Sequence, residues 1–196
     1  MNRVLFSLVD TALLLLAAFN VVGQEQAQAP IYKEGDFWQF RLGKRPIEAT
    51  IKDGKLKFFD PKPDQRIEIP GEKFPGLKNM LVIEQDENQV VRFPLFVGKQ
   101  WDVAEDTGQQ RASKQNGTVE KMRNIRSRVT GFEEVSTPAG TFKAFKIETS
   151  ATEGKRQLFS RTVFYSPETQ SVVKSRVERA NGNITEIELL KFGNRS

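Results

Sequence analysis

Asn124-Ile125-Arg126-Ser127-Arg128-Val129-Thr130 is the stretch that decides the fold class. Ile125 and Val129 fall on one side of a two-residue repeat, continued by Val135, while Arg126, Arg128 and Thr130 fall on the other. Successive side chains leave a strand on opposite faces, whereas a helix repeats about every 3.6 residues, so this alternation reads as extended chain. One face is apolar and one basic, as in an antiparallel strand with one face on a core and one in water.

The same grammar extends in both directions. Downstream, Pro138-Ala139-Gly140 supplies a turn, and the shift from Phe142 and Ala144 to Phe145 and Ile147 predicts a one-residue bulge in that strand. Further strands are predicted over 158–165, 172–177 and 184–192, with turns at Glu153-Gly154, Ser166-Pro167 and Asn181-Gly182. Upstream, Trp38, Phe40 and Leu42 alternate with Gln39 and Arg41, and Asp53-Gly54 sits between two strand-like runs as a type I′ hairpin turn. Pro61, Pro63, Pro70 and Pro75 predict an irregular loop across 60–76 with only a short strand near 66–69. Residues 80–83 and 90–97 are apolar on both faces and read as core strands, the second held to an edge or bulge by Pro94. Trp101 and Val103 open another strand, followed by a polar loop over 106–117. The fold predicted is mainly β, an antiparallel up-and-down sheet of about ten strands curved into a half-barrel or barrel. The alternative is a two-sheet β-sandwich.

Residues 1–23 have the layout of a secretory signal peptide, with Arg3 in a short n-region and an apolar run from Ala12 to Phe19. Val21 and Gly23 suit cleavage before Gln24; an uncleaved anchor is the other reading of the same segment. A polar linker, 24–30, then leads into a single β-rich domain at 31–196. The expected location is secreted, in a periplasm or on a cell surface. There is no cysteine, so the core alone must hold the fold in an oxidising compartment.

The chain also has no histidine. Together these absences remove the commonest general base, the commonest metal ligand and the thiol nucleophile. No metal site and no cofactor is expected. Carboxylate chemistry survives, and Glu84, Asp86, Asp102 and Glu105 are the residues on which a polysaccharide hydrolase would rest, although none has a diagnostic spacing. Turn composition alone explains Asp86-Glu87-Asn88.

The net charge of +5 is uneven: residues 24–110 hold 13 basic and 15 acidic side chains, residues 111–196 hold 16 and 9. Arg123, Arg126 and Arg128 on one strand and Lys174 and Arg176 on another would form an anion-binding face if placed side by side, or else an ordinary solvated face. An exported address argues against nucleic acid. The expected partners are a lipid or other envelope component and an anionic surface. Trp38, Phe40, Phe93, Trp101, Phe145 and Phe164 are the large apolar side chains expected to line the curved sheet, as a ligand pocket or as a packed core.

Thr137-Pro138-Ala139-Gly140-Thr141-Phe142, Phe164-Tyr165-Ser166-Pro167 and the opening Gly35-Asp36-Phe37-Trp38 together resemble a group of exported bacterial β-proteins of unknown function. The resemblance covers mainly residues 131–192. It implies a periplasmic or surface location and an antiparallel β fold, and it supplies no catalytic residue. The leading functional expectation is a non-enzymatic exported domain that binds an apolar or envelope ligand on its curved sheet, with the carboxylate-dependent hydrolase as the alternative.

Overall fold

The computed structural model describes residues 25–62, 65–70, 77, 80–81, 90–106 and 122–195. The segment read as a signal peptide lies outside them, as does most of the loop after the Trp101 strand. Strands form at β1 (Gln26–Ala27), β2 (Asp36–Leu42), β3 (Arg45–Lys52), β4 (Lys55–Lys62), β5 (Gln65–Ile69), β6 (Leu95–Phe96), β7 (Gln100–Asp106), β8 (Met122–Thr137), β9 (Gly140–Glu153), β10 (Arg156–Ser166), β11 (Ser171–Arg179) and β12 (Ile184–Asn194). Ten of them make one open antiparallel sheet in the order β5-β4-β3-β2-β12-β11-β10-β9-β8-β7, and β1 pairs with β6. Sequence neighbours are spatial neighbours within each meander. The junction is β2 beside β12, which joins the two meanders and leaves β5 and β7 as the edges.

The sheet curves strongly. The Ala139 N–H donates to the Leu189 carbonyl at 3.2 Å, and the Phe142 and Phe192 rings meet edge-on at 5.7 Å. Two strands intervene between β9 and β12, so a flat sheet would hold these groups about 14 Å apart. Bulges supply the bend: Thr130 is the extra residue between Val129 and Gly131 in β8, and β12 is irregular between Leu189 and Lys191. The predicted bulge is thus in the predicted hairpin but on the other strand. β9 is continuous, with Phe142 and Ala144 buried on one face and Phe145 and Ile147 on the other. The hairpin tip outruns β10, whose pairing with β9 ends at Phe145, and it folds over onto β12.

The concave face is filled by the chain itself. Phe40, Ile47, Val129, Ile147, Val163 and Leu189 are enclosed by Leu77, Met80, Leu81, Val90, Val91 and Leu95 in one cluster. Each such side chain contributes about 2 kcal/mol by leaving water. Among the described residues this corrects the reading of 80–83 and 90–97 as strands: Met80, Leu81, Val90 and Val91 are buried but unpaired into any ladder, and Leu95–Phe96 is the extended part, while Val82 and Ile83 lie outside the described residues. A run apolar on both faces has no period, so burial is legible in it and conformation is not. The segment is held by the Val172 N–H donating to the Met80 carbonyl and by Gly98 and Lys99 exchanging hydrogen bonds with Val129.

Two further expectations change. Gln26–Ala27, inside the presumed linker, pairs with β6, and Ala27 is buried. β4 runs through Pro61, where a loop was expected. Its pairing with β3 stops at Phe59, so the missing N–H of Pro61 interrupts no ladder on that side, while Pro61 still pairs in register with Arg66 of β5. The Asp53-Gly54 turn forms as predicted, with φ of 54° and 67°.

Candidate functional site

Register decides which side chains share a face. Arg126 lies between Asp102 and Ser150, Arg128 between Gln100 and Glu148, Lys174 between Phe164 and Glu188, and Arg176 between Thr162 and Glu186. These four basic residues therefore share the outer, convex face, but β9 and β10 separate the β8 pair from the β11 pair, so the two sets are not side by side. Arg123 pairs through its backbone with Glu105 and Glu153, and its side chain lies outside the described residues.

Acidic partners interleave with the set. Asp102 accepts from Arg126 at 2.9 Å, Glu186 from Arg176 at 2.6 Å, and Glu188 lies 2.9 Å from the Lys174 ammonium and also bonds Arg41. Lys174 first and Arg41 second hold the Glu188 carboxyl below its usual range, and Asp102 raises the Arg126 guanidinium. Arg128 is the member with no carboxylate bonded to it among the described residues. The wall is a ladder of alternating charge.

The apolar candidates are distributed differently. Trp38, Phe40, Trp101 and Phe145 are buried in the main cluster, and Phe93 and Phe164 are partly buried against it. The Trp38 indole N–H donates to the Thr169 carbonyl at 2.7 Å, and Phe93 meets Tyr165 edge-on at 5.0 Å. Phe164 pairs with Lys146 and Lys174, the outer-face row. Five of the six thus face protein on the core side, covered by this chain's own side chains. Burial also pushes the Tyr165 phenol well above its usual range.

Of the carboxylates considered for hydrolysis, Glu84, Asp86 and the Glu105 side chain lie outside the described residues. Asp102 is exposed and ion-paired to Arg126. Among the described residues no group of three Asp or Glu side chains is placed to hold a metal ion.

Among the described residues an open space lies elsewhere, at the end of β10 and β11. A cleft of about 380 Å³ is lined by Gln157, Phe159, Ser160, Glu178, Arg179, Ala180 and Gly182. Local sequence makes it. β10 is irregular between Gln157 and Phe159, and the displaced Leu158 accepts the Ala180 N–H through its carbonyl at 2.9 Å. Gly182, at φ 80°, closes the β11–β12 turn by donating to the Arg179 carbonyl, and the Asn181 side chain accepts the Asn183 N–H. Phe159 and Arg179 pair across the strands on one face, Ser160 and Glu178 on the other, so the cleft notches the end of the sheet. Arg161 lies 5.2 Å over the Phe159 ring, and Arg179 donates to the Thr185 hydroxyl at 3.0 Å. The turn dipeptides at Glu153-Gly154 and Asn181-Gly182 are the sequence signal for this place; nothing in the alternation singles out Phe159 over the other phenylalanines.

Fold and cleft together define an open antiparallel half-barrel with a notch at its turn end. No protein-family model and no curated protein matches the chain. Three solved structures are similar to it. One is a candidate lipoprotein from Parabacteroides distasonis, 12% identical with a TM-score of 0.41, over 87% of this chain and 100% of that one. The second is a candidate exported protein with a YmcC-like fold from Bacteroides fragilis, 14% identical, TM-score 0.41, covering 86% and 100%. The third is the hypothetical lipoprotein YmcC from Escherichia coli, 15% identical, TM-score 0.40, covering 84% and 86%. What those names say about export belongs to those proteins.

Proposed function

We propose that this is an exported binding domain that takes the apolar part of an amphipathic envelope ligand into the cleft at the end of β10 and β11. The observation that carries this reading is the contrast between the two spaces. The concave face is packed by residues of the 77–95 segment, whereas the cleft has about 380 Å³, within the range of small-molecule sites. Phe159 offers it an apolar surface and Arg179 a cation for an anionic group, with Glu178 on the opposite wall.

Native mass spectrometry after incubation with an envelope lipid extract tests the proposal. The wild-type protein is expected to carry an adduct, and Ala180→Trp, which fills the cleft from its exposed rim, is expected to return the apo mass. An unliganded wild type, or an adduct that survives Ala180→Trp, would refute it.

A further inference from the structure

The sequence Gly-Lys-Arg occurs twice, at Gly43-Lys44-Arg45 and Gly154-Lys155-Arg156, and the fold brings both copies to one end of the sheet. Gly43 has φ 61° and Gly154 φ 58°, while neither following lysine has positive φ. A positive φ at the first central position only is the pattern of a type II′ hairpin turn, which sets the lysine at the second central position, on the tip. The β11–β12 turn reaches the same end, because Arg179 pairs with Phe159 and Ile187 with Leu42.

Lys44, Lys155, Arg156 and Arg179 are exposed there, and none has a carboxylate partner among the described residues. The described acidic side chains nearby are few. Asp60 is held by Arg45 at 3.1 Å, Glu178 lies 4.0 Å from Arg176, and Glu153 is partly buried opposite Arg156. The opposite end is mixed: Lys33, Lys52, Lys55 and Lys57 share it with Glu34, Asp36, Asp53 and Glu168, and Asp53 is paired with Lys57. Among the basic tips sits Ile184, an exposed large apolar side chain, and the Phe159 cleft opens beside it.

We propose that this turn end docks on an anionic lipid bilayer. Cations without a carboxylate partner on two hairpin tips and at the end of β11 beside them match a negative surface, and the bilayer interface also accepts Ile184, which a hydrophilic anionic polymer would leave in water. The surface stands on charge and exposure alone, whatever the cleft binds. Where the cleft does take a lipid, docking would set its mouth against the source.

Co-sedimentation with vesicles tests it. The wild type is expected to sediment with phosphatidylglycerol–phosphatidylcholine vesicles, to stay in solution with phosphatidylcholine alone, and to be released by added salt. Each basic residue removed from the interface lowers partitioning about fivefold, so Lys44→Gln with Lys155→Gln should lower it about 25-fold. The control pair Arg128→Gln with Lys143→Gln removes the same charge from exposed positions on β8 and β9 away from these tips and should leave binding unchanged. Circular dichroism establishes that each variant is folded. Equal losses in both pairs, binding to neutral vesicles, or binding to dextran sulfate without binding to vesicles would overturn the proposal. Ala180→Trp separates the two readings: it abolishes lipid capture in the cleft and does not weaken vesicle binding.

Discussion

Replacing Arg195 with alanine should cost this protein about 2 kcal/mol of stability, from a residue at the end of the last strand. Glu48 lies on the outer face of β3 with its side chain only 3% exposed. Both its oxygens are occupied by Arg195, at 2.7 and 2.6 Å, and the second also accepts from Gln39 at 3.0 Å. The guanidinium lies 4.0 Å over the Phe37 ring, and the Arg195 N–H donates to the Gly35 carbonyl. Removing one partner of a buried pair typically costs about 3–5 kcal/mol because the other charge is left dry. Arg195 is 42% exposed, so water reaches the vacated site and the loss falls to about 2 kcal/mol, roughly a thirtyfold change in the folded-to-unfolded ratio. Urea unfolding followed by tryptophan fluorescence reads it. Arg195→Lys should recover less than half of the loss, since an ammonium makes neither the two-pronged bond nor the flat stack. In a double-mutant cycle, Arg195→Ala should cost little more once Glu48 is glutamine. Stability within about 0.5 kcal/mol of wild type for Arg195→Ala would refute the reasoning.

Gly193 pairs with Phe37, and a Cβ there would meet that ring at 3.1 Å, so Gly193→Ala should lift Phe37 from the backbone and destabilise by about 1 kcal/mol in the same urea assay. Trp38→Phe removes the donor to the buried Thr169 carbonyl and should cost about 1–3 kcal/mol, read from the shift in unfolding midpoint. Glu188 is a carboxylate with a depressed pKa: its contribution is present above the unfolded carboxylate pKa and is lost as pH falls through the folded one. Glu188→Gln should therefore flatten the acid limb of stability against pH while changing less near neutrality; an unchanged acid limb would show that the Lys174 and Arg41 contacts carry no linkage.

Much of the sheet is legible in the sequence, because alternation and turn chemistry are local. Trp38-Gln39-Phe40-Arg41-Leu42 and the Asp53-Gly54 turn appear at the residues where they are expected. What is not legible is non-local. Nothing in the period of β2 states that it pairs with β12 instead of opening an edge, and the Ala139–Leu189 bond depends on bulges in two strands far apart in sequence. The anion-binding candidates show the same limit. Parity places Arg126, Arg128, Lys174 and Arg176 on one face, but register brings Asp102, Glu186 and Glu188 against three of them. Parity is read from one strand; neutralisation needs two.

Pairing of this kind decides where positive charge reaches beyond the sheet. Within a ladder each basic residue has four cross-strand and diagonal neighbours, so a sequence with mixed charges finds partners there, and the field at a distance cancels. A hairpin tip has no strand beyond it. Lys44 and Lys155 at second central turn positions face open solvent on their outer side, so the charge they carry persists into solution. The same geometry holds for the cleft: at the end of β10 and β11 the bulge and the turn have no further strand to fill the space beside Phe159. The unpaired charge of these tips and the unpacked volume beside Phe159 thus occur together where the ladder stops at this end of the half-barrel, and the two proposed interactions share one surface.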